Sequence, residues 1–137
     1  MRLPILDLII ARDTAEVTTA ELRADLPNRN ATLAAPAPID LDPVVLRSKA
    51  ADASLYAETL TGMVFPPSLR AAWQRGLGYA EGAGASLRVR LHLPNDDDLH
   101  AIRWELLRDP VRNLPLAHNE RICFSRYLSS DHLDDVQ

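Results

Sequence analysis

Residues 86–94 read SLRVRLHLP, and this stretch decides the fold class. Arg88, Arg90 and His92 alternate here with aliphatic residues. The aliphatic positions are Leu87, Val89, Leu91 and Leu93. Because successive side chains of a strand point to opposite faces, a period of two predicts a strand with one apolar and one polar face.

The segment before this strand has the clearest helical pattern. Its apolar residues recur at spacings of three and four and are Leu69, Ala72, Trp73, Gly76, Leu77 and Ala80, while Arg70, Gln74, Arg75 and Glu81 fall on the other side. This pattern predicts a helix with one face in the core. Gly82 or Gly84 can take the left-handed conformation that ends it.

Two further helices are predicted upstream. Asp42 can cap a short helix that has Pro43 in its first position. A second apolar stripe continues to Phe65, where Pro66-Pro67 forces a stop. The stripe consists of Leu55, Tyr56, Leu60, Met63 and Val64.

The amino-terminal part predicts a hairpin followed by a connection. ILDLIIA (5–11) and AEVTTAEL (15–22) are rich in β-branched and aliphatic residues and flank the polar pair Asp13-Thr14, which is typical of two strands and a turn. Residues 25–42 are full of Ala, Pro and Asx, which favours an extended surface crossover with room for a short edge strand.

Downstream of residue 94 we expect a helix and a last strand. The acidic residues 96–98 can cap a helix, Leu99, Ile102 and Leu106 give it an apolar side, and Pro110 ends it. A short LPLA segment (114–117) and a turn at residues 119–120 then lead to the strand RICFSRYL (121–128), and residues 129–137 form an acidic tail or linker. The fold class is α/β, one domain over residues 1–128 with a mixed sheet flanked by helices.

Composition limits the function. The 137 residues carry a net charge of −4, and no cationic cluster of the kind that binds nucleic acid is present. No apolar run is long enough to cross a bilayer, so we expect no membrane partner and a cytoplasmic location. Cys123 is the one cysteine, which excludes an internal disulfide and a cysteine-rich zinc site.

Two sequence runs suggest ligand binding but are better explained by helix ends. GLGYAEGAG (76–84) closes a helix and leads into a strand, whereas a phosphate-binding loop follows a strand and opens a helix. NDDDLH (95–100) lacks the alternating oxygen ligands and the glycine of a calcium loop, so capping is favoured. We therefore predict no cofactor and no metal.

Candidate catalytic residues have weak support. Cys123 and His118 could form a nucleophile and base, but Cys123 lies between two apolar residues and we predict that it packs in the core. His100, Glu105 and Asp109 could form an acid–base group, but the two carboxylates pair more simply with Arg103, Arg108 or Arg112.

Trp104 is the last residue considered as a candidate for ligand binding. We predict Trp104 as a buried anchor with a locally satisfied indole, and a ligand contact is the alternative.

The order of these elements resembles the amino-terminal half of bacterial CHAT domains, which are caspase- and separase-related. The resemblance covers residues 55–128, through LYAETLTGMVFPPSLRAAWQRGLGYAEGAGASLRVRLHLP, LHAIRWELLRDP and NLPLAHNERICFSRYL. The residues that match are Trp104, Glu105, Asp109, Pro110, Arg126 and Tyr127.

The resemblance implies a caspase-like α/β fold and a cysteine peptidase that uses a His–Cys dyad. In the family both dyad residues follow the Arg-Tyr-Leu strand and would lie beyond Gln137, so we transfer no catalytic residue to this chain. An apolar edge is expected where the later strands would join.

Three functions follow as hypotheses. The first is a non-catalytic scaffold or regulatory segment that supports or docks with a catalytic half, in the same polypeptide or in a protein partner. The second is a free-standing interaction module that regulates a bacterial peptidase or signalling complex, and a homo-oligomer is compatible with it. The third, with the weakest support, is a small enzyme that uses His100 or His118 with carboxylates.

Overall fold

The computed structural model describes residues 4–13, 15, 17–26, 29–82, 84, 86–117 and 122–128, and five strands within these ranges form one mixed sheet. The strands are β1 (Ile5–Arg12), β2 (Thr18–Leu26), β3 (Arg29–Pro38), β4 (Leu87–Leu93) and β5 (Ile122–Leu128). Their order is β3-β2-β1-β4-β5. The pairs β1–β2 and β2–β3 are antiparallel, whereas β1–β4 and β4–β5 are parallel.

The helices begin and end close to the predicted signals. They are α1 (Pro43–Ser48), α2 (Ala53–Val64), α3 (Pro67–Gly82) and α4 (Asp97–His100), and a 3-10 turn covers Trp104–Leu106. The Asp42 carboxylate accepts hydrogen bonds from the backbone N–H groups of Val44 and Val45, as expected for a cap. The mixed sheet and these helices confirm the predicted α/β class.

None of the helices in the described ranges has both the length and the apolar character needed to span a bilayer.

Helix α3 confirms its predicted stripe completely. All six apolar positions of this stripe are buried, and its four predicted polar positions are exposed. Gly76 packs so closely on β1 that a Cβ there would lie 2.8 Å from a methyl carbon of Leu6. Gly84 has a φ of 65°, which is the left-handed conformation predicted for the helix end. In α2, by contrast, Leu55 is exposed, so it does not belong to the buried stripe.

The predicted hairpin is confirmed as β1 and β2, but the prediction for residues 25–42 is wrong in extent. Ten of those residues form strand β3, which pairs antiparallel with β2. The alanine-rich part of the segment supplies backbone N–H groups that can join the ladder, and the two prolines of β3, Pro36 and Pro38, stand at its end. An edge position tolerates them, because the outer side of an edge strand needs no donors.

The predicted helix up to Pro110 is also wrong, because α4 ends at His100. A continuing helix would need the backbone N–H groups of residues 103 and 108. The Arg103 N–H instead donates to the hydroxyl of Tyr56 at 3.0 Å, and the Arg108 N–H donates to the hydroxyl of Thr61 at 3.0 Å. Side chains of α2 thus hold this segment in a turn conformation.

Buried side chains lie on one face of the sheet. Two connections join parallel strands, β3 to β4 through helices α1 to α3 and β4 to β5, and both step in the same direction across the sheet. Right-handed crossovers then place their connecting elements on the same face. The core agrees, since β1 residues such as Leu8 and β4 residues such as Leu91 share one buried cluster with α2, α3 and Trp104. Predictions for residues 118–120 and for 129–137 lie outside the described residues.

Candidate functional site

The face of the sheet opposite the helices carries the chemically active side chains. We define the outer face by the residues of four strands that share this side in the register: Ile5, Asp7, Ile9, Glu21, Arg23, Asp25, Arg88, Arg90, His92, Cys123 and Ser125. Asp7 lies near its centre, with Arg23 beside it on β2 and Arg90 beside it on β4. Alternation in β1 and β4 places these groups together, because the intervening residues turn into the core.

The carboxylate of Asp7 binds two neighbours at once. The Arg90 guanidinium donates from Nε to Oδ1 at 2.7 Å and from its terminal nitrogen to Oδ2 at 2.9 Å, and the Nε2 of His92 lies 2.7 Å from Oδ1. Partial burial would by itself raise the pKa of Asp7, but the hydrogen bonds from His92 and Arg90 and their charge outweigh it and lower the pKa to about 2. Asp7 therefore stays ionised across the physiological range.

The arrangement around Asp7 fits an ion-pair network better than a catalytic site. A carboxylate bound to an imidazole is part of a hydrolytic triad, and the third member is a nucleophile within reach of that imidazole. Ser125 lies beside Arg90 in the register, not beside His92. Arg90 also binds both oxygens of Asp7, so the ion pair joins β4 to β1. The positive charge of Arg90 balances the negative charge of Asp7.

Sequence reasoning did not single out Asp7. A carboxylate inside the otherwise apolar strand ILDLIIAR was the available signal, together with its outward position in the period of two.

The prediction for Cys123 is wrong, because its side chain is exposed. Ile122 is buried and Phe124 is partly buried on the inner side of β5, so alternation turns Cys123 outward beside Arg88. The two apolar neighbours in sequence therefore lie on the opposite face from the thiol. His118 lies outside the described residues.

The group of His100, Glu105 and Asp109 is not brought together. The Nε2 of His100 lies 2.9 Å from the carbonyl oxygen of Pro94, and Glu105 is 3.9 Å from Arg103 in an exposed ion pair of the predicted kind. Asp109 is buried and makes no ion pair within the described residues. Its Oδ1 accepts the backbone N–H groups of Val111 and Arg112, so it shapes a turn and the prediction of a surface pair is wrong for it.

Two structural interpretations are confirmed. Trp104 is completely buried, and its indole N–H donates to the carbonyl of Leu99 at 2.8 Å. In the NDDDLH run, Asp96 caps α4 by accepting the Leu99 N–H at 3.1 Å. Among the described residues, no three side chains of His, Cys, Asp or Glu are grouped closely enough to hold a metal ion.

The two edges of the sheet differ in how they are protected. The β3 edge contains Pro36 and Pro38, its pairing with β2 shifts in register near Leu22, and the guanidinium of Arg75 donates to the Leu33 carbonyl. Strand β5 contains no proline, and no other strand in the described ranges pairs on its far side. We call that far side of residues 122–128 the β5 edge. Prolines, bulges and capped carbonyls hinder strand addition, and of the two edges in the described ranges only the β3 edge has such protection.

Comparison with known proteins identifies no relative. No protein-family model, no curated protein and no solved structure matches the chain.

Proposed function

We propose that this chain is a non-catalytic scaffold of a CHAT-like, caspase-related peptidase, and that it docks in the cytoplasm with a catalytic half that carries the His–Cys dyad. The β5 edge carries the proposal. No strand in the described ranges pairs on its far side, so a further strand could add there, whereas the β3 edge at the other end of the sheet is protected against strand addition.

The outer face provides a second contact surface in this proposal. Parallel strands are usually covered on both faces, and β1, β4 and β5 are mutually parallel neighbours whose helices lie on one face. Ile5 and Ile9 are half-buried on the other face. The carboxylate of Asp7 is already paired with Arg90 on this face. A protein that covered the face would therefore not bury Asp7 as an unpaired charge.

The contacts of the histidines and of the cysteine favour a scaffold function over a peptidase function. In the described residues the imidazole of His92 binds Asp7 and that of His100 binds a backbone carbonyl, while Cys123 lies beside an arginine. The His–Cys dyad of such a peptidase uses an imidazole within hydrogen-bond reach of the thiol. The catalytic chemistry is accordingly assigned to the partner.

A free-standing interaction module is the second candidate. The observation that favours it is that three large aromatic side chains, Trp73, Trp104 and Phe65, are completely or almost completely buried within this chain itself. A chain that folds alone can regulate a peptidase by binding without belonging to its catalytic domain.

The proposal is tested by purifying the chain at its natural level from its source cells and adding a peptidyl acyloxymethyl ketone, a covalent probe for cysteine peptidases. We expect the probe to label a cysteine outside residues 1–137, in the same polypeptide or in a bound partner, and the Cys123→Ser variant to leave that labelling unchanged. Labelling that disappears with Cys123→Ser would assign the chemistry to this chain. A purified complex without any probe-reactive cysteine would favour the regulatory module.

A further inference from the structure

The outer face covers its carboxylates more than its guanidinium groups. In the first ion pair, the side chain of Asp7 is 14% exposed and that of Arg90 is 31% exposed. In the second, the side chain of Glu21 is 12% exposed and that of Arg23 is 58% exposed. The long arginine side chains reach past the shorter acids towards solvent. Each pair is formally neutral, but the layer that a ligand meets first is cationic.

Two arginines of this face have donors that the fold does not use. Arg23 donates to Glu21 through Nε, and its terminal nitrogens have no hydrogen-bond partner among the described residues. The side chain of Arg88 is exposed and makes no hydrogen bond or ion pair in the described part of the chain. Because the planar guanidinium group matches a carboxylate, these two side chains suit an acidic ligand.

The spacing of these groups suits an extended peptide. Arg23 on β2 and Arg90 on β4 both lie next to Asp7 of β1, so their Cα atoms are about 10 Å apart, which is two strand spacings. Arg88 lies two residues before Arg90 on β4, about 7 Å along the strand. Alternate residues of an extended peptide, whose side chains share one side, are also about 7 Å apart.

We propose that the outer face binds an extended acidic segment of a protein partner. The carboxylates of the segment bind Arg23 and Arg88, and its apolar side chains pack on Ile5 and Ile9, which are half-buried on β1 between these arginines and their neighbours. The inference rests on the proposed function, which it deepens by naming the chemistry of the segment that covers this face.

Charge complementarity selects this occupant. A basic segment would bring its cations against exposed guanidinium groups, while the carboxylates of Asp7 and Glu21 are largely covered and already paired. A nucleic acid would place a continuous row of phosphates on a chain whose net charge is −4. A short acidic segment meets the arginines with less of this general repulsion.

Fluorescence anisotropy of a short labelled peptide that repeats Glu-Leu-Glu-Ser tests the proposal on the purified full chain. We expect the same peptide with Gln in place of Glu to bind about fivefold more weakly or less, because the ion pairs are lost. The Arg23→Gln, Arg88→Gln double variant should weaken binding of the Glu peptide by a similar factor. The matched control is Arg47→Gln, Arg70→Gln, which removes two exposed arginines from α1 and α3 and should bind like the wild type.

Reversal of the charges gives a gain of binding that a merely structural role would not produce. The Arg23→Glu, Arg88→Glu variant should bind the peptide with Lys in place of Glu more tightly than the wild-type chain does. Equal binding of the Glu and Gln peptides, or equal weakening by the two Arg→Gln double variants, would overturn the proposal. A single-stranded oligonucleotide that binds more tightly than the Glu peptide, and depends on the same two arginines, would assign the face to nucleic acid instead.

The acidic residues of this chain's own carboxyl-terminal segment are the competing occupant. The Asp134→Asn, Asp135→Asn variant distinguishes it, and we expect this variant to bind the Glu peptide like the wild type. Binding that becomes about fivefold tighter or more in this variant would assign the face to the chain's own segment and overturn the proposal.

Cys123 reports where the peptide binds. Its exposed thiol lies on β5 beside Arg88, so a peptide on the outer face should protect it from alkylation by N-ethylmaleimide. The Gln peptide at the same concentration should protect it less. Unchanged alkylation with saturating Glu peptide would place the peptide elsewhere and contradict the proposal. None of these measurements uses the cysteine-peptidase probe, so their failure would be distinguishable from a failure of the proposed scaffold function.

Discussion

The Nε2 of His92 lies 2.7 Å from the Oδ1 of Asp7, across two neighbouring parallel strands. Arg90 binds the same carboxylate, so three side chains from β1 and β4 form one cluster on the outer face. An aspartate bound to a histidine is also found in catalytic sites. Here both hydrogen-bond partners of Asp7 come from β4, so the cluster joins β1 to β4.

Replacing Asp7 by Asn should lower the free energy of unfolding by about 2 kcal/mol near neutral pH, because the pKa of Asp7 is lowered from 3.8 to about 2 in the folded chain. A carboxylate with a lowered pKa stabilises the fold above its unfolded pKa and loses this effect as it is protonated. The difference between wild type and Asp7→Asn should therefore shrink as the pH falls from about 4 to about 2. Urea unfolding at several pH values measures it.

Glu21→Gln is the control for this prediction. Glu21 pairs with the exposed Arg23 on the same strand, so its loss should change stability by no more than about 0.5 kcal/mol. Equal effects of Asp7→Asn and Glu21→Gln, or a difference that persists at acidic pH, would contradict the role given to Asp7.

The two tryptophans should respond differently to substitution by phenylalanine. Both are completely buried, but the indole N–H of Trp104 donates to Leu99 whereas that of Trp73 has no partner among the described residues. Trp104→Phe should therefore be more destabilising than Trp73→Phe by about 1 kcal/mol, the net value of one hydrogen bond. Unfolding curves of the two variants decide this, and a greater loss for Trp73→Phe would show that the bond is unimportant.

Glycine-to-alanine substitutions in α3 should have opposite signs at two positions. At Gly76 a Cβ would lie 2.8 and 2.9 Å from the methyl carbons of the buried Leu6, so overpacking should destabilise the chain by about 1 kcal/mol. At the exposed Gly78 nothing lies within 4 Å, and the helix propensity of alanine should stabilise it by up to about 1 kcal/mol. Thermal unfolding of both variants measures the contrast, and a stabilising Gly76→Ala would mean that Leu6 can move aside.

Regular spacing made some elements predictable from the sequence. The buried stripe of α3 and the alternation in β4 depend on residues within one element, and a period of 3.6 or 2 assigns each side chain to a face. Cys123 follows the same rule: its two apolar neighbours favour a core position, but the period of two in β5 places its side chain on the outer face.

Long-range hydrogen bonds account for the errors. The segment after α4 has helical spacing, but the hydroxyls of Tyr56 and Thr61 take the backbone N–H groups that a helix would use. These partners are 47 residues away in sequence, so no local pattern indicates them. The Asp7 cluster likewise depends on the register of β1 against β4, which brings together residues more than 80 positions apart.

Amide hydrogen exchange of β5 measures whether a partner strand pairs with this edge. In the dilute monomeric chain, the N–H groups of residues 122–128 that point to the β5 edge should exchange quickly, and in the purified natural complex they should exchange at least about tenfold more slowly because a partner strand pairs with them. The amides of β3 should be unaffected. Unchanged exchange in β5, with protection confined to other strands, would contradict docking at this edge.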